Sequence, residues 1–235
     1  MHKLILIIIY LFASQRPPIN PNYYSFEWKI FTTATENPPP IDHTTSKDIR
    51  LMGNGRTYYD WEKRSMLEIY DDFCVPIFEY PNKNFRFPCQ FLNVEEKVFL
   101  RIFDEPSRPE CCLFAENFHP PKPTFAVDNK LTYNSTITID NDIVDFFTLN
   151  IPTPGPFYYG WKKEKINGFR VPAAFSFPTV EPEGWTEQNF FNFKNEKPAK
   201  EIFEIPEECK NIKPCEVFPP EIVEKKVKHY TQTNI

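Results

Sequence analysis

Near the start of the chain Tyr24, Phe26, Trp28 and Ile30 alternate with Ser25, Glu27 and Lys29, the period-2 pattern of a strand with one buried face. Val98-Phe-Leu-Arg-Ile-Phe103 is the clearest apolar strand of the middle, and Thr132 to Asp140 alternates again. Asp142 to Leu149 either extends that strand or forms a short helix. Strands are predicted over 157–162 and 169–177, on either side of Asn167-Gly168. Met52-Gly-Asn-Gly55 has the turn chemistry of a tight hairpin, which predicts strands at 47–52 and 56–70. Val75 to Tyr80 and Phe85 to Phe87 flank a further turn at Pro81-Asn-Lys-Asn84. The prolines between Cys111 and Ala126 predict an irregular connection, and 37–46 and 152–156 read as loops. From Asn189 an apolar strand and a polar turn lead to Phe203, Ile205-Pro206 and Cys209, which read as an end strand pinned by a disulfide. The charged segment 216–235 has no core face, so a disordered tail or a surface helix is expected there.

Composition agrees with this pattern. The chain has 25 Pro, 24 Phe and 11 Tyr against 6 Gly and 3 Met; proline at this density forbids long helices, while Phe and Tyr favour pleated surfaces. One all-β, mainly antiparallel domain with little helix is expected over 23–215, since β chains of this length are commonly single domains. The formal charge of −5 is small and well mixed, which argues against nucleic acid as a partner.

The N-terminus places Met1-His-Lys3 before ten apolar residues, Leu4 to Ala13, and small residues at Ala13-Ser14. That run is too short for a bilayer span of ~20 residues, and it reads as a secretory signal peptide over 1–14. No later segment is long or apolar enough to cross a membrane as a helix. Cys74, Cys89, Cys111, Cys112, Cys209 and Cys215 include no Cys-x-x-Cys and no neighbouring His pair; an even set behind a signal peptide points to disulfides rather than zinc. Fifteen pairings are open, with the adjacent Cys111 and Cys112 expected to reach different distant partners. Asn134-Ser-Thr136 is a glycosylation sequon, consistent with an extracellular or secretory-lumen location.

Signatures of catalysis are sparse. His2, His43, His119 and His229 lie in terminal or Pro-rich contexts, and there is no Gly-x-Ser-x-Gly elbow, phosphate loop or His-Glu-x-x-His helix. Asp71-Asp72 and the group Asp140, Asp142 and Asp145 offer hard oxygen ligands that would suit Ca2+, although without EF-hand spacing a solvated turn is the preferred reading. The 39 aromatic side chains exceed what a simple sandwich requires, so part of them is expected to line a cavity for an apolar ligand.

Several segments together resemble the ependymin-related family of secreted glycoproteins, including its divergent protist members. They are Gly55-Arg-Thr-Tyr-Tyr-Asp60-Trp-Glu-Lys-Arg64; Cys74 with Phe99 to Phe103 and Cys111-Cys112-Leu113; Gly168-Phe-Arg-Val-Pro172 with Phe175 and Phe177; and, most specific, Phe191 to Cys209 with Phe203-Glu-Ile-Pro206-Glu-Glu-Cys209. Departures are an aromatic after Asp145, often Trp in the family, that is here Phe146 or Phe147, and Pro-rich loops of greater length. The resemblance implies two stacked, curved antiparallel sheets forming a half-barrel with a deep hydrophobic pocket, similar to carriers of the LolA/LolB kind. It also implies association with lipid, calcium and extracellular adhesion rather than enzymatic activity.

The resulting expectation is a secreted, non-enzymatic protein that binds a lipid or fatty acid between curved sheets. Phe26, Trp28, Tyr59, Trp61, Phe99, Phe175 and Phe177 are the candidate pocket wall, each chosen for its place on one strand face. Calcium-dependent adhesion is the alternative, a secreted hydrolase the third reading, and a homodimer is compatible with all of them.

Overall fold

The computed structural model describes residues 15–33, 49–74, 87–106, 108–151, 155–179 and 184–215. The predicted signal segment 1–14, the Pro-rich loop at 37–46, the turn expected at 81–84 and the tail 216–235 lie outside these residues.

Eleven antiparallel strands form the fold: β1 Tyr23–Thr33, β2 Ile49–Asp60, β3 Ser65–Tyr70, β4 Cys89–Val94, β5 Lys97–Ile102, β6 Cys111–Glu116, β7 Thr132–Ile139, β8 Asp142–Leu149, β9 Phe157–Ile166, β10 Phe169–Thr179 and β11 Gly184–Lys194. They join into one curved, unclosed sheet in the order β6-β5-β4-β3-β2-β1-β11-β10-β9-β8-β7. The all-β class holds, and the expected two layers are arms of this one continuous sheet. Among the described residues helix is confined to α1, the single turn Phe125–Asp128, and two 3-10 turns at Lys200–Phe203 and Glu207–Cys209. Three hairpins close through residue pairs at positive φ, Glu95-Glu96, Asp140-Asn141 and Asn167-Gly168, as the twist of two-residue turns demands. Asp142–Leu149 is therefore a strand, as its apolar run at Val144, Phe146 and Phe147 favours.

Two expectations fail for reasons that bear on the site. Met52–Gly55 is not a hairpin: β2 runs straight through it, and the chain reverses at Trp61–Arg64, where the Arg64 amide donates to the Trp61 carbonyl at 3.0 Å. The glycines serve packing instead. A Cβ on Gly55 would lie 2.2 Å from the Ile69 carbonyl oxygen and 2.2 Å from the Trp28 ring, so the bare backbone is what admits the Trp28 indole. Gly55→Ala is expected to cost about 2 kcal/mol in urea denaturation. Gly53→Ala should cost less, because the atoms nearest there are side-chain ones, the Phe73 ring 2.8 Å away, and no backbone atom lies as close as at Gly55. The irregular connection expected from Cys111 begins only after Glu116, since Cys111–Glu116 pairs with β5.

Both faces of β3 to β5 carry packed apolar side chains. On the outer face Leu67, Leu92, Val94 and Phe99 pack against Phe203 and Cys209 of the segment 199–215. That segment is a strap of 3-10 turns rather than the end strand read from the sequence. Three disulfides are formed: Cys74–Cys89, Cys111–Cys209 and Cys112–Cys215. The last two fasten the strap to β6, which also meets it through the Leu113 carbonyl, acceptor of the Cys215 amide at 2.8 Å. The adjacent cysteines point to opposite faces of their strand: Cys111 joins the outer cluster and Cys112 the inner one.

Candidate functional site

On the inner face, strand registers align side chains in rows. Phe26 stands opposite Thr57, Thr57 opposite Glu68, Glu68 opposite Phe91 and Phe91 opposite Leu100. One row over, Phe190, Trp28, Gly55, Tyr70, Cys89 and Ile102 succeed one another. An apolar cluster crosses this face from Cys112 on β6 to Phe157 on β9. Its rings touch in series: Phe114 to Phe91 at 5.1 Å, Phe91 to Tyr70 at 5.8 Å, Tyr70 to Trp28 at 4.7 Å, and Tyr59 to Tyr24 at 4.6 Å. Phe26 stacks on Phe190 at 4.3 Å, and Phe177, Phe175 and Tyr159 follow on the far arm. The connection 117–131 joins the two edge strands across this face. Its Pro121 carbonyl accepts from the Tyr59 hydroxyl at 2.6 Å and its Phe125 ring meets Tyr159 at 5.0 Å.

The result is a trough, because the floor is fully buried while the rings above it are not. Trp28, Tyr59 and Cys89 are inaccessible, whereas Tyr24, Phe114, Tyr159, Phe175, Phe190 and Phe193 keep part of their surface although they face inward. Burial raises the Tyr24, Tyr59 and Tyr70 hydroxyls above the usual phenol range, with the Glu68 charge adding to the effect at Tyr24 and Tyr70. Glu68 itself is pushed up to about 7 by burial. It keeps some accessible surface, yet protein surrounds it closely enough to desolvate its charge, and its register with Thr57 and Phe91 puts it on the inner face.

Five of the seven predicted wall residues meet here: Phe26, Trp28 and Tyr59 on one arm, Phe175 and Phe177 on the other. Phe99 does not, because it has the opposite parity from Val98 and Leu100 and packs under the strap. Trp61 lies in the β2–β3 turn. It lines a separate cleft of about 410 Å3, with Asn20, Lys122 and Phe169. Glu68, Tyr70, Asn93 and Gln188 were not anticipated. Alternation in Ser65–Tyr70 places Glu68 opposite in direction to Leu67 and Ile69, and a one-sided strand would then show Glu68 to water. Only the strap, which is remote in sequence, makes Leu67 outer and Glu68 inner.

Four of the five carboxylates considered for calcium are engaged by other groups. Asp71 pairs with Arg56 at 3.4 Å and Asp72 accepts from the Asn54 amide at 2.7 Å. Asp142 pairs with Lys162 at 2.6 Å, and Asp145, 2 % exposed, accepts from Arg170 at 2.8 Å and from Thr136 at 2.5 Å. Asp145 is thus not the solvated turn residue expected. Among the described residues no three His, Cys, Asp or Glu side chains gather as a metal centre requires. His119 is half-buried, 3.5 Å from Glu96. Asn134 is exposed on edge strand β7.

No family model matches the chain, and no curated protein matches it. Among solved structures it is similar to an uncharacterized conserved protein of Thermus thermophilus, at 9 % identity over 90 % of this chain and 98 % of that one, with a TM-score of 0.45. It is similar to a LolA superfamily protein of Nitrosomonas europaea at 10 % identity, over 81 % and 92 % of the two chains, with a TM-score of 0.39. A DUF1329 family protein of Desulfovibrio piger is similar at 10 % identity over 86 % and 95 %, with a TM-score of 0.32. No assignment of function rests on these likenesses, and none of them points to the ependymin-related family.

Proposed function

We propose that the trough binds a hydrophobic small molecule of the lipid class and that the protein is a non-enzymatic carrier. The observation that carries this reading is the set of inward-facing rings that remain partly accessible, Tyr24, Tyr159, Phe175 and Phe190 among them. Grouped on one concave face, these rings offer the apolar lining that small-molecule sites use. An apolar chain laid along these rings gains roughly 25 cal/mol for each Å2 removed from water, before the costs of association are deducted. The three disulfides support a working place outside the cytosol, in an extracellular or secretory-lumen compartment.

Delipidated, folded protein is expected to take up the neutral probe N-phenyl-1-naphthylamine with a rise in fluorescence, saturating at micromolar concentration. Absence of uptake at tens of micromolar, on the order of −6 kcal/mol of binding, rejects the carrier reading.

A further inference from the structure

Glu68 sets a chemical condition on what the trough accepts. Its neighbours on the inner face are Thr57 and Phe91 across the strands, Met66 and Tyr70 along β3, and Asn93 on the diagonal. Diagonal pairs on a sheet lie roughly 7 Å apart, within reach of one small group placed between two long side chains. Asn93 is 2 % exposed, and neither its Oδ1 nor its Nδ2 has a hydrogen-bond partner among the described residues. Of the other polar groups nearby, Thr57 Oγ1 accepts from Trp28 Nε1 at 3.1 Å, and Tyr70 is hydrogen-bonded to Gln188.

Charge is equally one-sided. Among the described residues no Lys, Arg or His of β1 to β6 or β11 has the inner-face parity, since Lys29, Arg56, Lys97 and Arg101 all alternate outward. The hydroxyls of Tyr24 and Tyr70 feel the Glu68 charge; of the groups on the connection that crosses this face, His119 lies 3.5 Å from Glu96, Lys122 lines the separate cleft, and Lys130 is exposed. A carboxylate in a low-dielectric site calls for a cation, and leaving it uncompensated is costly. An ammonium brings three N–H donors and no acceptor, which suits a carboxylate, an amide oxygen and the π-faces of tyrosines together. An anionic head would set like charge against Glu68 and could approach only by protonating one of the two acids.

We propose that the trough selects single-chain amphiphiles with a primary amine head, Glu68 serving as the counter-ion and Asn93 Oδ1 as a second acceptor. This rests on the carrier reading above and narrows it, turning a fatty acid from the expected ligand into a disfavoured one.

The test displaces N-phenyl-1-naphthylamine from the full-length protein with dodecylamine, dodecanol and dodecanoate, at about pH 8.5, where Glu68 is ionised and the amine is protonated. Dodecylamine is expected to displace the probe at a concentration about tenfold below that of dodecanoate. Glu68→Gln, with its fold checked by near-ultraviolet circular dichroism, should weaken dodecylamine about tenfold relative to dodecanol. Probe uptake with equal displacement by amine and carboxylate overturns the amine assignment alone, as does an amine preference that survives in Glu68→Gln. No probe uptake by the folded protein overturns the carrier reading and this inference together.

Discussion

Removing both long-range disulfides, by Cys111→Ser with Cys209→Ser and Cys112→Ser with Cys215→Ser, is expected to cost about 7 kcal/mol, while either bridge alone costs about 2–3. The inequality follows from topology. Cys111–Cys209 and Cys112–Cys215 close loops of sequence separation 98 and 103, and the two loops are nearly the same. Whichever bridge forms first removes most of the chain entropy, about 4.7 kcal/mol for a loop of about 100 residues. The second then closes only a small ring, made of Cys111, Cys112 and residues 209–215, worth about 2.5 kcal/mol for on the order of eight residues. Loss of one bridge therefore removes the smaller increment, and loss of both removes the sum.

With neither bridge, the strap is held by non-covalent contacts: the packing of Phe203 and its neighbours on Leu67, Leu92 and Phe99, the backbone bonds of Leu113 with Lys213 and Cys215 and the Arg101–Glu208 ion pair. A loss of about 7 kcal/mol approaches the whole stability of an ordinary domain. Urea denaturation of the two single-bridge variants and the double variant measures all three values. A double variant no worse than the single ones would show that the bridges do not act on a shared loop. Cys74–Cys89, of separation 15, lies apart from that loop and should add its own ~3 kcal/mol independently.

Much of the sheet was legible because its strands alternate or run apolar in a chain that proline keeps out of helices: β1, β5, β7, β9 and β10 fall where the pattern places them. Errors came where a residue type answers to a partner distant in sequence. Gly53 and Gly55 carry the composition of a turn, yet their lack of side chains is used by Phe73 and Trp28. Prolines after Cys111 suggested irregular chain, although β6 ends at Glu116, before the run of prolines at 120–123 begins.

The candidate site divides in the same way. Aromatic positions of β1 and β10 were found by parity alone, since both strands present their rings to one side. Phe99 was misplaced and Glu68 overlooked for a single reason. On β3 to β5 both faces carry packed apolar side chains, and which one belongs to the trough is decided by a strap whose anchoring cysteines are about 100 residues away in the loops they close. Neither strand periodicity nor composition encodes that choice.

Glu68 makes the protein less stable as pH rises from about 4.5 to about 7, and Glu68→Gln is expected to abolish that part of the pH dependence. In the unfolded chain the carboxyl ionises near 4.5, while burial in the folded protein defers ionisation to about 7. Between those values the folded state holds a proton that the unfolded state has released, so stability falls with pH across that window and is level on either side of it. A difference of 2.5 between the two values corresponds to about 3 kcal/mol, present below pH 4.5 and lost above pH 7. Glu68→Gln keeps the shape and removes the charge. The variant should match the parent near pH 4 and exceed it by about 3 kcal/mol near pH 8, the gap opening progressively between. Denaturation at several pH values reads this directly, and a variant that is no more stable than the parent near pH 8 would mean that Glu68 is solvated or already paired. Dodecylamine should act as the mutation does, because an ammonium beside the carboxylate returns its pKa toward the usual range. Saturating amine near pH 8 should accordingly stabilise the parent protein well beyond its effect on Glu68→Gln, and binding near pH 6 should release a proton to buffer, which calorimetry in buffers of different ionisation heat detects.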